Sequence, residues 1–338
     1  MKRFFTSLFV GSIVIFLSSC GGGNAKPGSK IGFMPKLAGI PYFNACKKGA
    51  EEAAQELKLD LKYDGPNKAD VSQQNDMLDQ WINSGDYACI CVACNDPNLI
   101  ASSLRQARDK GIHVITYDAD TMEDARSFFV NQATYEDVAY AMVDALAEDL
   151  GDAVKEKAGD ESKFKVAILT SYKTAPNQSE WASRIKTYAA KKYPRIELLE
   201  ETEHGEDRDE GIKKAKALIE GNRDLKGILG LTSVAVPAAA EAVRQEGKKG
   251  DIKVTGVSTP KDMRDYVMDG TVNYVILWNP VDLGYLTVYV ADLERKGQMP
   301  KNGIIEAGRL GKITVNDGEV LLGKPLRFTK ENIDKYGF

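Results

Sequence analysis

Short apolar runs alternate with longer amphipathic segments along most of this chain, and that alternation constrains its fold more than any other feature. The runs are rich in Ile, Val and Leu, whereas the segments between them repeat their apolar residues at the helical period. Strands and helices in alternation are typical of parallel sheets covered by helices. The predicted strands are residues 31–34, 59–63, 88–93, 113–117, 127–130, 164–170, 196–200, 227–231, 252–257 and 274–278. The predicted helices are residues 43–57, 71–83, 99–110, 135–154, 178–192, 207–220, 234–247, 260–268 and 282–296.

The alternation runs in two series, which predicts an α/β fold of two lobes, each a doubly wound parallel sheet. A long helical segment and a polar stretch separate the two series. One strand and one helix remain after the second series, so we expect the chain to return to the first lobe before it finishes in the second. We therefore assign residues 31–131 plus 277–310 to the N-terminal lobe and residues 132–276 plus 311–338 to the C-terminal lobe.

The first thirty residues have the pattern of an exported and lipidated protein. Lys2 and Arg3 precede an apolar run that is shorter than a membrane-spanning helix but suits a signal peptide. The run ends in Leu-Ser-Ser-Cys at Cys20, a lipobox in which the cysteine becomes the acylated first residue of the mature chain. We expect residues 1–19 to be a signal peptide, residues 20–30 to be a lipidated linker, and the protein to be an extracytoplasmic, membrane-anchored lipoprotein of the periplasm or cell surface. An uncleaved anchor or a chance cysteine is the alternative.

The composition is that of a globular protein, with 43% hydrophobic and 28% charged residues. The formal net charge of −4 argues against nucleic acid or an anionic membrane surface as the main partner. No phosphate-binding motif of the GxGxxG or GxxxxGK[ST] type follows a predicted strand, and we expect no cofactor.

Three closely spaced cysteines, Cys89, Cys91 and Cys94, have a spacing that invites a metal site. They coincide with the predicted strand 88–93, in which alternate residues point to opposite faces and cysteine packs as a small apolar side chain. No further cysteine or histidine lies close in sequence to complete a tetrahedral site. We expect core packing, with a disulfide or a metal as the alternative, and no metal site elsewhere.

The residues that follow the predicted strands are mostly polar, and they form the candidate binding site. Ligands of open parallel sheets bind beyond the carboxyl ends of the strands, where loops and helix N-termini converge. In the first series these positions hold Lys36, Asp64, Asn95, Asp96, Asp118 and Asp120. In the second series they hold Asn177, Gln178, Thr232, Ser233, Ser258, Thr259 and Asn279. The aromatic residues that accompany them are Tyr42, Phe43, Trp181 and Trp278.

Two polar rims with aromatic faces suit a small polyhydroxylated ligand, because each hydroxyl donates and accepts hydrogen bonds and aromatic rings cover the C–H faces. Each residue also has a purely structural explanation. Asp118 and Asp120 could cap the next turn, and Lys36 could be a solvated charge. Ser258 could begin a helix, and the tryptophans could be core residues. Polar residues at so many strand ends together favour a binding site.

Longer motifs resemble one protein family. They are FMPKLAG at 33–39, YDADT at 117–121, FVNQAT at 129–134, APNQSEW at 175–181, LTSV at 231–234, VPAAA at 236–240, GVSTP at 256–260, WNPVDLGY at 278–285 and GRLGKITV at 308–315. Over nearly all of residues 30–338 the chain resembles the sugar-type substrate-binding proteins of ABC importers, in the branch of the autoinducer-2-binding and rhamnose-binding proteins. The resemblance implies the type I periplasmic-binding fold, in which a three-segment hinge joins two lobes that close on a sugar-like ligand. It also implies a membrane permease as the partner, and we expect a monomer with Trp278 and Asn279 at a hinge crossing.

The resemblance leaves the ligand open, because motifs of both subfamilies are present. In the autoinducer-2 group a lysine, two aspartates, a glutamine, a proline and an alanine hold the ligand. The matching positions here are Lys36, Asp118, Gln178, Pro237 and Ala239. The second aspartate is replaced by Asn177, and an Asn-Gln pair is typical of the rhamnose group; an amide donates and accepts, whereas a carboxylate only accepts. Rhamnose or a similar sugar is therefore the first expectation, with autoinducer-2 or another small polyol as alternatives.

Other functions fit the sequence less well. An enzyme would need a positioned nucleophile, base or metal, and the sequence has neither a GxSxG nor an HExxH motif, so we expect no catalytic residue. Sugar-responsive repressors share the lobes but begin with a DNA-binding headpiece, whereas this chain begins with a signal sequence. A sensor that presents its ligand-bound form to a membrane receptor is compatible with the same fold.

Overall fold

The computed structural model describes residue 1, residues 28–156 and residues 163–338. Its strands are β1 (Lys30–Met34), β2 (Leu61–Tyr63), β3 (Tyr87–Val92), β4 (His113–Tyr117), β5 (Phe128–Asn131), β6 (Phe164–Thr170), β7 (Ile196–Glu203), β8 (Leu225–Gly230), β9 (Lys253–Gly256), β10 (Val275–Leu277), β11 (Gly303–Glu306), β12 (Lys312–Asn316), β13 (Glu319–Leu321) and β14 (Leu326–Phe328). Its α-helices are α1 (Pro41–Leu57), α2 (Val71–Ser84), α3 (Ala101–Asp109), α4 (Tyr135–Leu150), α5 (Pro176–Lys192), α6 (Arg208–Gly221), α7 (Ala235–Gln245), α8 (Pro260–Met268) and α9 (Pro280–Arg295). None of these helices is long and apolar enough to cross a membrane. The predicted signal peptide and the lipobox cysteine Cys20 lie outside the described residues.

The first sheet has the strand order β11-β12-β13-β5-β4-β3-β1-β2. Its strands from β13 to β2 are parallel, and the register places Ile31 opposite both Leu61 and Cys89. Helix α9 packs against β3, β4 and β5, and helices α2 and α3 also pack against β3 and β4, with a separate cluster of buried side chains that includes Ile90, Val92 and Val114. Because both faces are covered, β3 and β4 are buried along almost their whole length, which explains their continuous apolar sequences.

The second sheet has the strand order β7-β6-β8-β9, and all of its pairs are parallel. Its central register places Ile228 opposite Ala167 and Val254. Strand β10 lies next to this sheet, because Ile276 forms a bridge with Val257 just after β9. Strand β10 also pairs antiparallel with β14. The two sheets confirm the predicted α/β class with parallel sheets.

The chain passes between the two lobes three times within the described residues. Residues 132–134 lead from β5 to α4, which packs against the second sheet. Trp278 and Asn279 lead from β10 to α9, which packs against the first sheet. Residues 322–325 lead from β13 to β14. These passages are the three crossings that the family resemblance implied.

One part of the predicted lobe assignment is wrong. The sequence-based assignment puts residues 311–338 in the C-terminal lobe, but β12 and β13 belong to the first sheet. Strand β12 forms an antiparallel hairpin with β11, in which Ile305 lies opposite Ile313, and β13 then adds in parallel to β5. Alternate residues of β12 are buried, so its apolar face extends the core of the first lobe. Pairing with the second lobe begins only at β14.

Helices α1 and α9 pack unusually closely, and glycine makes this possible. A Cβ atom at Gly49 would collide with the carbonyl oxygen of Val281, and one at Gly284 would collide with the carbonyl oxygen of Cys46. Backbone carbonyls cannot move aside as flexible side chains can, so only glycine fits at these two positions. The close pair aligns the beginnings of both helices, where Tyr42 and the Trp278 crossing lie.

The cysteines of the described residues, Cys46, Cys89, Cys91 and Cys94, are fully buried free thiols. Burial raises the pKa of Cys46, Cys89 and Cys94 well above the usual value, so these side chains stay neutral. Cys89, Cys91 and Cys94 pack in the core, as the strand pattern predicted. No cluster of three or more His, Cys, Asp or Glu side chains suited to a metal ion occurs in residues 28–156 or 163–338.

Candidate ligand-binding site

The carboxyl ends of the strands in the two sheets face each other and enclose a cavity of about 40 Å³. The predicted site residues on its wall are Lys36, Tyr42, Phe43, Asp118, Asn177, Gln178, Thr232, Ser233 and Trp278. The wall is completed by Ile40, Trp181, Glu206, Leu231, Val257 and Leu277. Residues from loops that are far apart in sequence meet here because parallel strands all end at the same edge of their sheet.

Asp118 is the most heavily bonded acidic residue of the cavity wall. It follows β4 in the left-handed backbone region, with φ of 62°, and its side chain is almost completely buried. The hydroxyl of Tyr42 donates to Asp118 Oδ1 at 2.7 Å, and Trp278 Nε1 donates to that hydroxyl at 3.0 Å. The Gln132 amide holds the backbone by donating to the Asp118 carbonyl at 3.2 Å. This unusual backbone conformation turns the carboxylate toward the cavity.

The Tyr42 phenol is protonated and donates one of the two hydrogen bonds that connect Trp278 to Asp118. Burial, and then the neighbouring Asp118 carboxylate, raise the pKa of Tyr42 well above its ordinary value. The phenol therefore keeps its proton and donates a hydrogen bond to Asp118. The chain from Trp278 through Tyr42 to Asp118 connects a lobe crossing to the binding residues.

Lys36 and Asn177 join the two lobes across the cavity. Lys36 Nζ donates to Asn177 Oδ1 at 2.9 Å and lies 3.4 Å from Asp118 Oδ2. Asn177 Nδ2 completes the triangle by donating to Asp118 Oδ2 at 3.5 Å. All three side chains are buried, so these contacts hold the lobes together in a closed arrangement.

Gln178 is oriented by its own lobe. Its Oε1 accepts from the backbone N–H of Ser171 at 2.8 Å and from the Thr170 hydroxyl at 2.5 Å, and its Nε2 donates to Ser171 Oγ at 2.7 Å. These bonds fix the start of α5 against the end of β6, and so they position Asn177 beside it.

Thr232 lies just before α7 and faces a buried histidine. Its Oγ1 accepts from the backbone N–H groups of Val234 and Ala235 and lies 3.3 Å from Nε2 of His204. Burial lowers the pKa of His204 to about 4, so the ring is neutral near pH 7.

Four aromatic rings form a continuous apolar side of the cavity. Tyr42 packs edge-on against both Phe43 and Trp278, with ring centroids 5.0 and 5.9 Å apart. The Trp181 ring lies 5.9 Å from the Trp278 ring. Such faces suit the C–H surface of a sugar, and opposing amide, lysine and carboxylate groups suit its hydroxyls.

The site prediction from the sequence missed Glu206. It lines the cavity, its Oε2 is buried, and that oxygen has no hydrogen-bond partner among the described residues. Burial raises the pKa of Glu206 to about 7. The rule that polar residues follow strands should have found it, but the predicted strand 196–200 stopped short of the observed end of β7 at Glu203.

Asp120 lies outside the cavity wall. Its carboxylate accepts from the Arg126 guanidinium at 2.7 Å and from the Thr116 hydroxyl, so it stabilises the turn after β4. The backbone turn that points Asp118 inward directs Asp120 away from the cavity.

Four further predicted site residues also lie off the wall. Ser258 donates to the Ser233 carbonyl at 3.1 Å, and Asn279 Oδ1 caps α9 by accepting from the backbone of Val281 at 3.0 Å. Pro237 and Ala239 are buried within α7. The structure does not place these four side chains on the wall of the cavity.

The pattern of two lobes, three crossings and an interlobe cavity agrees with comparison to known proteins. The family described as periplasmic binding protein domain matches residues 31–299. The chain belongs to this family. Its members are binding proteins, which agrees with the expectation that the chain is not an enzyme.

Solved structures share the fold of this periplasmic binding protein. A sugar ABC transporter structure from Actinomyces odontolyticus is 31% identical, with a TM-score of 0.71, and the match covers 92% of this chain and 98% of that one. An ABC transporter solute-binding protein from Clostridium phytofermentas with bound L-rhamnose is 26% identical, with a TM-score of 0.85 and coverage of 92% and 99%. LsrB from Clostridium saccharobutylicum in complex with AI-2 is 24% identical, with a TM-score of 0.85 and coverage of 91% and 100%.

Proposed function

We propose that this protein binds a small, uncharged sugar between its lobes and delivers it to the permease of an ABC importer. The observation that carries the proposal is the meeting of Lys36 and Asp118 with Asn177 in a buried cavity that has aromatic rings on one side. Both lobes contribute hydrogen-bond donors and acceptors to this wall. A sugar whose hydroxyls bond to both lobes would stabilise the closed arrangement.

The cavity must open to admit a sugar. A volume of about 40 Å³ has room for no more than a few water molecules. Ligand binding therefore requires the lobes to separate and to close again around the sugar. Ligand hydroxyls then replace the direct bonds that Asn177 makes to Lys36 and Asp118.

Rhamnose, or a sugar like it, is the ligand we propose first. Asn177 both donates and accepts in the structure, which suits a hydroxyl better than a second carboxylate would. The 26% identical solute-binding protein that holds L-rhamnose supports this choice. Autoinducer-2 is the second candidate, because Lys36 and Asp118 match the lysine and an aspartate of that group and both face the cavity. Another small polyol would use the same contacts.

We further propose that the chain is a monomeric lipoprotein held near its permease by acylated Cys20 after removal of residues 1–19. The positively charged start, the apolar run and the lipobox support this location. Expression of the full chain with Cys20→Ser in a bacterial host tests it, because the variant should move from the membrane fraction to the soluble fraction. A wild-type protein that is already in the soluble fraction would contradict lipid anchoring.

Isothermal titration calorimetry tests the binding function. Wild-type protein is titrated with L-rhamnose, autoinducer-2 and ribitol, and we expect micromolar or tighter binding of at least one. Asp118→Ala should abolish that binding, whereas Asp79→Ala, on the exposed side of α2, should not change it. No heat with any of the three compounds would contradict the ligand proposals, and unchanged affinity in folded Asp118→Ala would contradict the site.

A further inference from the structure

We propose that Glu206 is a ligand-binding residue that acts as a neutral carboxylic acid, so that one proton enters the closed cleft together with the sugar. The inference rests on the proposed function and adds to it a residue, a protonation state and a pH dependence. Glu206 is on the cavity wall beside Thr232, and its buried Oε2 has no partner among the described residues. A protonated carboxyl at this position donates one hydrogen bond to a ligand hydroxyl and accepts another.

The backbone around Glu206 presents the carboxyl to the cavity. Glu206 has φ of 57° and Gly205 has φ of 67°, so two successive residues adopt the left-handed conformation. This conformation is costly for a glutamate, which has a Cβ atom. The turn is held in place by His204 N–H, which donates to the Thr170 carbonyl at 3.0 Å, and by Gly205 N–H, which donates to the Ser171 carbonyl at 3.1 Å. These hydrogen bonds to the end of β6 hold the strained turn in place, and the turn keeps the Glu206 side chain on the cavity wall.

The charges of the closed site favour the neutral form. Lys36 and Asp118, both from the first lobe, are an ion pair at 3.4 Å, so their formal charges cancel. An ionised Glu206 would leave one negative charge in the closed cavity without a positively charged group of its own. Burial is the largest influence and raises the pKa of Glu206 to about 7; Lys36 and the hydroxyls of Thr232 and Ser171 lower it by less, and Asp118 raises it further.

The other titratable groups near Glu206 do not reproduce its change of charge between pH 6 and pH 8. Two of these groups lie on the same turn as Glu206. Burial lowers the pKa of His204 to about 4, so its ring is neutral, and Asp207 caps α6. From the loop after β6 comes Tyr172, whose pKa is raised by burial and by Glu206, so its phenol stays neutral. From the first lobe come the paired Lys36 and Asp118. Glu206 is therefore the group whose protonation follows closure in this range.

Opening the cleft moves Lys36 and Asp118 away with the first lobe and exposes Glu206 to water, so its pKa returns toward the ordinary value for glutamate. Between that value and about 7, the open form is ionised and the closed form is protonated. Sugar binding consequently takes up a proton, and the dissociation constant rises by up to tenfold per pH unit across this range. Above about pH 7 the closed form also loses the proton, and the dissociation constant levels off.

Calorimetry in two buffers of low and high ionisation enthalpy at each pH, phosphate and Bis-Tris at pH 6 and phosphate and Tris at pH 8, counts the protons taken up. The probe is whichever of L-rhamnose, autoinducer-2 and ribitol binds the wild-type protein. We expect about 0.9 protons per sugar at pH 6 and about 0.1 at pH 8, from a closed-state pKa of about 7. The wild-type dissociation constant should be about 27-fold larger at pH 8 than at pH 5.5 on the same basis.

Glu206→Gln is the decisive variant, because the amide has the shape of the acid and stays neutral at every pH. It should bind the probe with no proton uptake and with a dissociation constant that does not change between pH 5.5 and pH 8. Glu200→Gln, at an exposed position of the same strand, should keep the full proton uptake of the wild type. Sugar binding by the wild type without proton uptake would overturn the role of Glu206 and leave the binding function intact, even if Glu206→Gln failed to fold. Absence of sugar binding by the wild type would instead refute the proposed function and this inference with it.

Discussion

Lys36 and Asn177 lie in different lobes and are 141 residues apart, yet Lys36 Nζ donates to Asn177 Oδ1 at 2.9 Å in the interior of the protein. The bond is a direct link between the two walls of the cavity. A ligand that enters must break it and offer hydroxyls to both partners instead. The affinity of this protein for a sugar thus depends on how well the hydroxyls of the ligand replace this interlobe bond when the lobes close.

Replacing Asn177 by aspartate should change ligand preference. Asn177→Asp places a second carboxylate 3.5 Å from Asp118 Oδ2, where the amide now donates a hydrogen bond. Because like charges repel and a donor is lost, we expect the affinity for L-rhamnose at pH 7.5 to fall at least about tenfold. The affinity for autoinducer-2 should fall less, since its group has an aspartate at this position. Calorimetry with both ligands measures the ratio, and Asn67→Asp in an exposed loop is the control. Equal losses for both ligands would contradict this role of Asn177.

Removing the Tyr42 hydroxyl should weaken the site and the fold together. Tyr42→Phe takes a donor from Asp118 and an acceptor from Trp278, so the free energy of unfolding should fall by about 1–3 kcal/mol. Tyr63→Phe is a matched control, because the Tyr63 hydroxyl is buried without a hydrogen-bond partner among the described residues. Its removal should leave stability unchanged or slightly increased. Denaturant unfolding of both variants tests the prediction, which fails if Tyr63→Phe is the more damaging change.

The close packing of α1 and α9 predicts a large cost for one added methyl group. Gly284→Ala should reduce the free energy of unfolding by more than about 2 kcal/mol, because the new Cβ collides with the Cys46 carbonyl. Gly221→Ala is the control, since it lies at the end of α6 with open space around the new Cβ and should be neutral or stabilising by up to about 1 kcal/mol. Thermal and urea unfolding of the two variants measure these changes in the free energy of unfolding. Similar stability in both would show that the helices can move apart at little cost.

The buried His204 predicts a loss of stability in acid. Its pKa is lowered to about 4 in the folded protein, so the unfolded chain binds the proton more tightly. The contribution of His204 is fully present above its ordinary pKa near 6.5, and it falls as the pH drops from there to about 4. The wild type should therefore lose roughly 2–3 kcal/mol more than His204→Gln between pH 7 and pH 4.

Urea unfolding of wild type and His204→Gln at both pH values measures that difference. His113→Gln is the control, because the side chain of His113 is about one-third exposed and pairs with Glu294. A His204→Gln variant with the same acid sensitivity as the wild type would contradict the burial argument.

Much of the site follows from a single physical rule applied to the sequence. Parallel strands present their carboxyl ends at one edge, so the residues after each apolar run converge there, as Lys36, Asp118, Asn177 and Thr232 do. The rule failed at Glu206 because β7 continues through the polar residues 200–203, which this edge strand can hold because most of its residues are only partly buried.

Other parts of the structure are not encoded in local patterns. The rule does not say which way a side chain points, and the left-handed backbone at Asp118 sends Asp120 out of the cavity. The strands β11, β12 and β13 are only three to five residues long, and their place in the first sheet depends on the pairing of β13 with β5 from far earlier in the chain. Family positions predict Pro237 and Ala239 at the site, but both are buried within α7, which no local sequence pattern indicates.

Tryptophan fluorescence tests the central claim, that a sugar binds between the lobes, most directly. Trp181 and Trp278 line the cavity. Trp81, the remaining tryptophan of the chain, lies in α2 and stacks on Tyr87 of β3. Titration with L-rhamnose should give a saturable change in emission that persists in Trp81→Phe and disappears in Asp118→Ala. If L-rhamnose, autoinducer-2 and ribitol all leave the emission of the folded wild-type protein unchanged, and none produces heat on mixing, the protein does not bind these ligands in this cleft.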